Sequence, residues 1–320
     1  MRMHQPRPSA KLAKPARIAA LVALFAVAAC GGAPSAASTP PAARFPVTIT
    51  APGGEQVTIN QQPRRIVSLS PTATEMLFAI NAGSEVIAVD DQSNYPAGVP
   101  TTKLSGYQPN IEAIAGYAPD LVIAAEDTGS LVHGMQALNI PILLEPAAKT
   151  LDDSYLQIKQ LGLATGHVAE AGALVSKMRS QVASFVSLVA KPGRTVRVYH
   201  ELDNTYYSAT SATFIGQVYK VLGLQNIADS ATGGASDYPQ LSAEYIVNSN
   251  PDLIVLADTK CCKQDLSTVA SRAGWGVIAA VKNGEVVNVD DDIASRWGPR
   301  VIDFMQLIAP RVQQVEKQAA

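Results

Sequence analysis

Histidine and cysteine are scarce in this chain, with four and three among 320 residues. Once a leader described below is set aside, only His133, His167 and His200 remain, too thin a set for a zinc centre built on three or four converging ligands. Three cysteines cannot form a disulfide framework either. The sequence also lacks His-Glu-x-x-His, Gly-x-Ser-x-Gly, Ser-x-x-Lys and the phosphate-binding Gly-x-x-x-x-Gly-Lys, so the familiar hydrolase and nucleotide-binding classes have no foothold. His200, Glu201 and Asp203 resemble an acid/base cluster, but they directly follow an apolar strand, and a solvated strand end accounts for them. An exported enzyme of unfamiliar type stays open as a rival to the non-enzymatic reading.

Acid is absent from residues 1–29, which carry Arg2, Arg7, Lys11, Lys14 and Arg17 ahead of the apolar run IAALVALFAVAAC. A basic segment followed by an apolar run this short reads as an export signal and not as a stable span. The run closes on Val27-Ala28-Ala29-Cys30, followed by Gly31, and so resembles the bacterial lipoprotein signal. That resemblance makes Cys30 the lipidated first residue of the mature chain; an ordinary secretory signal with an incidental cysteine is the alternative. Five of the 25 Lys and Arg leave with the leader, so 20 face 27 Asp and Glu, a net of −7. A mildly acidic exported protein is a poor nucleic-acid binder.

The chain then divides by composition. Residues 30–45 are rich in Pro, Ala and Ser without periodicity, the make-up of a disordered tether reaching roughly 20 Å. The remaining length of roughly 275 residues suits two lobes: an N-terminal lobe at 46–150, connecting helices at 151–192 and a C-terminal lobe at 193–320. The fold class expected is α/β, two lobes of βα repeats with central parallel sheets joined by a long rigid helix. Residues 64–69 (RRIVSL) predict a strand, and Thr72 or Thr74 caps a following helix that Gly83 stops; TVRVYHEL and SATFIGQVYKVLG repeat the pattern, with Gly223 closing the helix. Between the lobes Gly162 and Gly166 interrupt the first connecting helix. From His167 to about Val189 an unbroken apolar stripe of Val168, Ala171, Leu174, Val175, Met178, Val182, Phe185 and Val189 predicts a rod of roughly 35 Å. A crossover helix inside one sheet is the plainer alternative.

One phrase occurs twice. NIEAIAGYAPDLVIA and SAEYIVNSNPDLIVLA each place a glutamate seven residues before a Pro-Asp-Leu, with 132 positions between Glu112 and Glu244. Both read as a helix (111–117, 243–248), a Pro-Asp turn and a buried strand (121–125, 253–257), the continuous apolar runs matching a sheet covered on both faces.

RRIVSLSPTATEMLFAI, the doubled phrase, TYYSATSATFIGQVYKVLG and SRWGPR together resemble the helical-backbone class of solute-binding proteins that serve ABC importers, from about Arg64 to Arg311. Members of this class take cobalamin, ferric siderophores or haem, and the cobalamin binders are the most similar. The resemblance implies no catalysis and no resident cofactor. It also implies a permease dimer with its ATPase as partner, a monomer held outside the cell membrane by its lipid, and a macrocyclic or metal-chelate ligand. Glu112 and Glu244 fall where such receptors present one exposed glutamate per lobe to permease arginines; an acid in the first turn of each helix, favoured by the macrodipole, is the local alternative.

Tyr95, Tyr207 and Tyr238 fall where cobalamin-binding relatives place aromatic contacts, and Asp292 and Arg296 where they place polar ones. Tyr107, Tyr206 and Trp297 complete a set of loop aromatics suited to stacking on a flat ligand. Tyr238 and Gly106-Tyr107 stand where those relatives use tryptophan, which leaves room for another corrinoid, a siderophore or haem. Arg296 either binds an anionic ligand or pairs with Asp290, Asp291 or Asp292. Arg64 and Arg65 read as a solvated face. Cys261 and Cys262 allow a vicinal disulfide, two free thiols or a soft ligand pair. A surface sensing or adhesion module without a transporter is the competing function from another class.

Overall fold

The computed structural model describes residues 44–189, 194–231 and 236–318; the leader, Cys30 and the tether up to residue 43 lie outside them. A small antiparallel hairpin opens the described chain: β1 (Val47–Thr50) and β2 (Gln56–Ile59). The N-terminal lobe follows as β3 (Ile66–Leu69), α1 (Pro71–Ala79), β4 (Val86–Asp90), β5 (Thr101–Leu104), α2 (Ile111–Ala115), β6 (Leu121–Ala124), α3 (Leu131–Ala137) and β7 (Ile142–Leu144). Two helices, α4 (Leu151–Thr165) and α5 (Val168–Val189), come next. The C-terminal lobe holds β8 (Arg197–Glu201), α6 (Phe214–Val221), β9 (Gln225–Asn226), α7 (Ala243–Ser249), β10 (Leu253–Leu256), α8 (Leu266–Ser271), α9 (Ala279–Asn283), β11 (Val286–Asn288), α10 (Asp291–Ser295) and α11 (Val301–Gln318).

The two lobes have separate, wholly parallel sheets. The first runs β5-β4-β3-β6-β7 and the second β11-β10-β8-β9. Because α5 lies between two sheets, it is a connector and not a crossover within one. A parallel sheet needs cover on both faces, and β3, β6 and β10 are accordingly buried along their whole length.

The doubled Pro-Asp-Leu has a structural task in both lobes. The Asp120 carboxylate accepts the backbone N–H groups of Arg64 and Arg65 at 2.8 and 2.9 Å, and its own N–H donates to the Arg65 carbonyl. Asp252 repeats the arrangement at the start of β8, accepting from the Arg197 N–H at 2.9 Å and donating to the Arg197 carbonyl. Each aspartate thus fixes the register between the strand it precedes and the central strand beside it. Arg64 and Arg65, inside the strand predicted over 64–69, stand just before β3, which starts at Ile66. Both are exposed, and Arg65 donates to the carbonyls of Ala118 and Tyr117 at 3.0 and 2.6 Å.

Helix ends differ from the expectation at three places. Ser70, not Thr72 or Thr74, caps α1 by accepting the Ala73 N–H. Asn81 at φ 67°, not Gly83, takes the left-handed position that ends it. Gly162 does not interrupt α4, which runs through it to Gly166 at φ 85°. A Cβ on Gly162 would meet the Ala171 Cβ at 2.4 Å, so glycine there permits the close approach of α4 and α5. Thr150 and Asp153 form a reciprocal capping box at the start of α4.

All described residues belong to one compact unit. Its largest apolar cluster crosses the lobes, joining Ile66, Met76 and Leu121 to Ile158, Val175 and Met178 of the connector, and these to Val198, Val218, Phe304 and Ile308. Smaller clusters lie on the far face of each sheet. A shared core of this kind resists large changes of lobe angle, because well-packed interiors do not deform continuously.

Candidate ligand cleft

Five parallel strands end on the same side of the N-terminal lobe, and the residues just beyond them line one cavity of about 310 Å3. Ser70 follows β3, Gln92 follows β4, Tyr107 follows β5, Glu126 follows β6 and Ala147 follows β7. Asp292, Ser295, Arg296 and Trp297 close it from the C-terminal side. Ligands of open α/β sheets bind at this end. The volume sits at the low end of ligand pockets, about 300–1,000 Å3.

The cavity thus unites four of the expected ligand residues: Tyr107, Asp292, Arg296 and Trp297. Tyr107 is 77% exposed and free to stack. Trp297 is held in place: its Nε1 donates to Gln157 Oε1 at 2.8 Å and its carbonyl accepts from Ser154 Oγ at 2.6 Å.

Arg296 is placed differently from a free ligand contact. It is 9% exposed, and its Nη1 donates to Glu75 Oε1 and Asn94 Oδ1 at 2.8 and 3.0 Å. Its Nη2 donates to the Gln92 carbonyl and Asp292 Oδ1 at 2.9 and 3.0 Å. Of the two expected roles, pairing is the one built, with Asp292 among the three candidate aspartates and with Glu75, which the sequence reading missed. Arg300 adds two bonds to Glu75 at 2.9 and 2.5 Å and lies 4.4 Å from the Tyr95 ring centre. Asp292 is shared as well, accepting from Lys260 Nζ at 2.7 Å and Asn94 Nδ2 at 2.9 Å. Burial pulls its carboxyl upward, but Lys260, Asn94 and Arg296 together hold it below the usual carboxylate range. The floor of the cleft is therefore an ionic junction between the lobes.

The other aromatics separate. Tyr95 lines a neighbouring cavity of about 380 Å3 with Arg300, Phe78 and Met178. Tyr207 and Tyr238 are 41% and 55% exposed on the C-terminal rim, brought together by a bridge from Tyr207 to Gln240 and by the Ser208 N–H on the Pro239 carbonyl. Tyr206 is not a cleft residue. At φ 72° it turns inward and packs 5.5 Å from Trp275, with the Arg272 guanidinium beside both rings.

His200 and Glu201 are corrected more sharply. Both are fully buried, because β8 is a central strand covered on both faces, and neither is a solvated strand end. His200 Nδ1 lies 2.7 Å from the Tyr219 hydroxyl, and burial pushes its pKa down to about 4. Glu201 accepts two bonds from Arg272 at 2.7 and 2.6 Å. Burial, then the neighbouring Glu201, push the Asp258 carboxyl up to about 7. These groups sit inside the C-terminal lobe, away from the cavity lining.

Glu112 and Glu244 occupy the same place in the two lobes, the first turn of α2 and of α7, beneath N-caps Asn110 and Ser242. Both are exposed, and neither joins a salt bridge among the described residues. Cys261 and Cys262, left open by the sequence, are bonded to each other. No group of three or more His, Cys, Asp or Glu among the described residues is arranged to hold a metal, and no described helix is long and apolar enough to cross a membrane.

Known proteins share this plan. The family profile described as periplasmic binding protein matches residues 66–293. An uncharacterized ABC transporter substrate-binding lipoprotein of Bacillus subtilis is 31% identical over 277 residues, covering 84% of this chain and 86% of its own. A cobalamin-binding protein of Halobacterium salinarum is 31% identical over 281 residues, covering 84% and 74%. The crystal structure of the periplasmic vitamin B12 binding protein of Vibrio cholerae superposes with a TM-score of 0.67 at 23% identity, over 80% of this chain and 98% of that one.

Proposed function

Since the chain belongs to the periplasmic binding protein family, we propose that it is the substrate-binding lipoprotein of an ABC importer and that it carries cobalamin or a related corrinoid. The observation that carries this reading is the cavity at the carboxyl ends of all five strands of the N-terminal sheet, closed from the C-terminal side by the α10 segment and flanked by Tyr107 and Trp297. The named ligand of the Halobacterium salinarum relative supports the corrinoid. In this account the domains divide as 1–29 leader, 30–45 tether, 46–150 and 193–320 lobes, and 151–192 connector, with Cys30 carrying the lipid.

The rim supplies affinity in two parts. Tyr107 and Trp297 bury the flat face of a macrocycle from the N-terminal side and the floor. Tyr207 and Tyr238 meet its edge from the C-terminal rim, their hydroxyls reaching amide or carboxylate oxygens. Asp292 and Arg296 act through the junction, which fixes the distance between these two groups of rings. Tyr95 has a supporting place there, its ring against the Arg300 guanidinium.

Delivery falls to Glu112 and Glu244, one exposed carboxylate per lobe on a scaffold with a shared core. Two fixed charges can set register on a two-fold permease and steer encounter. Each exposed pair contributes about 0–1 kcal/mol, which suits a monomeric carrier that must leave again. Glu112→Ala with Glu244→Ala is expected to lower uptake of radiolabelled cyanocobalamin by about tenfold, with equilibrium binding by the isolated protein unchanged. Uptake at the parental rate and equal expression would remove the docking assignment and favour a sensing role.

A further inference from the structure

The vicinal Cys261–Cys262 bond serves none of these steps, yet it sits in a loop built onto the cleft. The loop follows β10, whose carboxyl end points to the same rim as those of β8 and β11 in a wholly parallel sheet. One carboxylate organises its first half. Asp291, the first residue of α10, accepts from Thr259 Oγ1 at 3.0 Å, from the Lys260 N–H at 3.0 and 3.2 Å, and from the Cys261 N–H at 3.1 Å. Lys260 Nζ then bridges Asp290 and Asp292 at 2.8 and 2.7 Å. The second half is held from below: the Cys262 N–H donates to the Asp258 carbonyl, Gln264 Nε2 donates to the Cys262 carbonyl at 2.8 Å, and Arg272 holds Gln264 Oε1 at 2.7 Å.

Asp292 makes this arrangement consequential. The carboxylate gripped by Lys260 also accepts from Asn94 of the other lobe and from Arg296, and it lines the cavity. A continuous chain of bonds therefore runs from the disulfide loop through α10 to the lobe junction. Cys261 is exposed and Cys262 half-buried, so a soluble thiol can reach the pair in the folded protein.

We propose that Cys261–Cys262 is a thiol–disulfide exchange site on the cleft rim, taking a dithiol as its substrate class, and that its opening loosens the α10 segment that closes the cavity from the C-terminal side. In the step, one thiolate of the dithiol attacks the Cys261 sulfur. The S–S bond breaks, and Cys262 leaves as a thiolate that takes up a proton. The second thiolate of the reductant then attacks its own sulfur in the mixed disulfide and expels Cys261, which is protonated in turn. Two electrons and two protons pass from the dithiol, which leaves as a disulfide, to the protein, which gains two thiols. Freed of its covalent constraint, the loop no longer holds Lys260 and the two amides on α10, and Asp290, Asp291 and Asp292 lose their shared partners.

Amide hydrogen exchange on the full chain, with and without dithiothreitol, tests the proposal without any transported ligand, so its outcome is independent of what the cleft carries. Reduction should speed exchange about tenfold or more in both Thr259–Gln264 and Asp291–Trp297, with α5 unchanged as an internal reference. Cys261→Ser with Cys262→Ser should show the fast exchange without reductant and respond no further to it, which separates this pair from Cys30. Lys260→Met should speed exchange in Asp291–Trp297 while the disulfide stays intact. The proposal is overturned if dithiothreitol leaves the pair oxidised in the folded protein, or if Asp291–Trp297 exchanges at the same rate in both states.

Discussion

Replacement of Glu75 by alanine should cost about 3–5 kcal/mol of stability and lower the melting temperature by roughly 10 °C. Glu75 is 2% exposed on α1 and accepts three bonds from Arg296 and Arg300. Removing it leaves two guanidinium groups in the lobe junction without their common counter-ion. Arg296 keeps Asp292, Asn94 and the Gln92 carbonyl, but among the described residues Arg300 is left with the face of Tyr95. Stranding a buried charge costs more than the pair contributes while intact, so the loss exceeds what any single exposed ion pair on this protein can supply. Thermal unfolding of Glu75→Ala beside Glu75→Gln measures it. The glutamine keeps the volume and one acceptor, so it should fall between the parent and the alanine. A melting temperature within 2–3 °C of the parent for both variants (about 1 kcal/mol) would show that the junction bears little load.

Glu145 predicts an opposite sign and a pH dependence. It is 1% exposed just beyond β7, neither oxygen has a hydrogen-bond partner among the described residues, and burial pushes its pKa up to about 8. Below about pH 4.5 the carboxyl is protonated whether the chain is folded or not, and it has no effect on pH dependence. Between about 4.5 and 8 the unfolded chain sheds a proton that the folded chain keeps, so stability falls by about 1.4 kcal/mol per pH unit. Above about 8 both states are ionised and the loss is complete, at roughly 5 kcal/mol in all. Glu145→Gln should therefore lose roughly 4 kcal/mol less than the parent between pH 5 and pH 8.5 in urea unfolding. Parallel pH profiles for the two proteins would mean that Glu145 titrates normally. His200, held down at about 4 by burial, acts at the other end of the range. Its folded pKa lies below the ordinary value of 6.5, so it withdraws stability as pH falls from about 6.5 to 4 in parent and variant alike.

The two lobes were legible because each is written in continuous apolar strands punctuated by Pro-Asp and closed by glycine or asparagine. The connector was legible because α5 carries a single stripe, of which Ala171, Val175, Met178 and Val189 are buried. The hairpin β1–β2 was not, since its alternating half-exposed residues look like any polar segment, and β5 (Thr101–Leu104) was missed for the same reason. Reading His200 and Glu201 as a strand end failed for a topological cause. Whether a polar residue at a strand terminus meets water depends on which strands flank it, and β8 lies between β9 and β10.

The cleft was half legible. Tyr107 and Trp297 were legible as aromatic residues in Gly- and Pro-containing loops, SGYQP and SRWGPR. They were not legible from strand ends, since β5 was missed and α10 separates Trp297 from β11. The ionic junction joins residues more than 200 positions apart, Glu75 to Arg296 and Arg300, and no local spacing announces such a pair. A signal did exist: Glu75 is the lone acid in the apolar helix α1, where every residue from Thr72 to Leu77 is buried. An acid at such a position must find cations, and SRWGPR supplies two.

Fluorescence titration with cyanocobalamin tests the central claim most directly. The chain has two tryptophans; Trp275 is wholly buried in the C-terminal lobe and Trp297 lines the cleft. Saturable quenching that Trp297→Phe largely abolishes is the result expected of a corrinoid seated across the cavity. Saturation by a ferric hydroxamate or haem instead would keep the cleft and discard the corrinoid. No saturable change with any of the three would contradict the assignment of this cavity as the binding site.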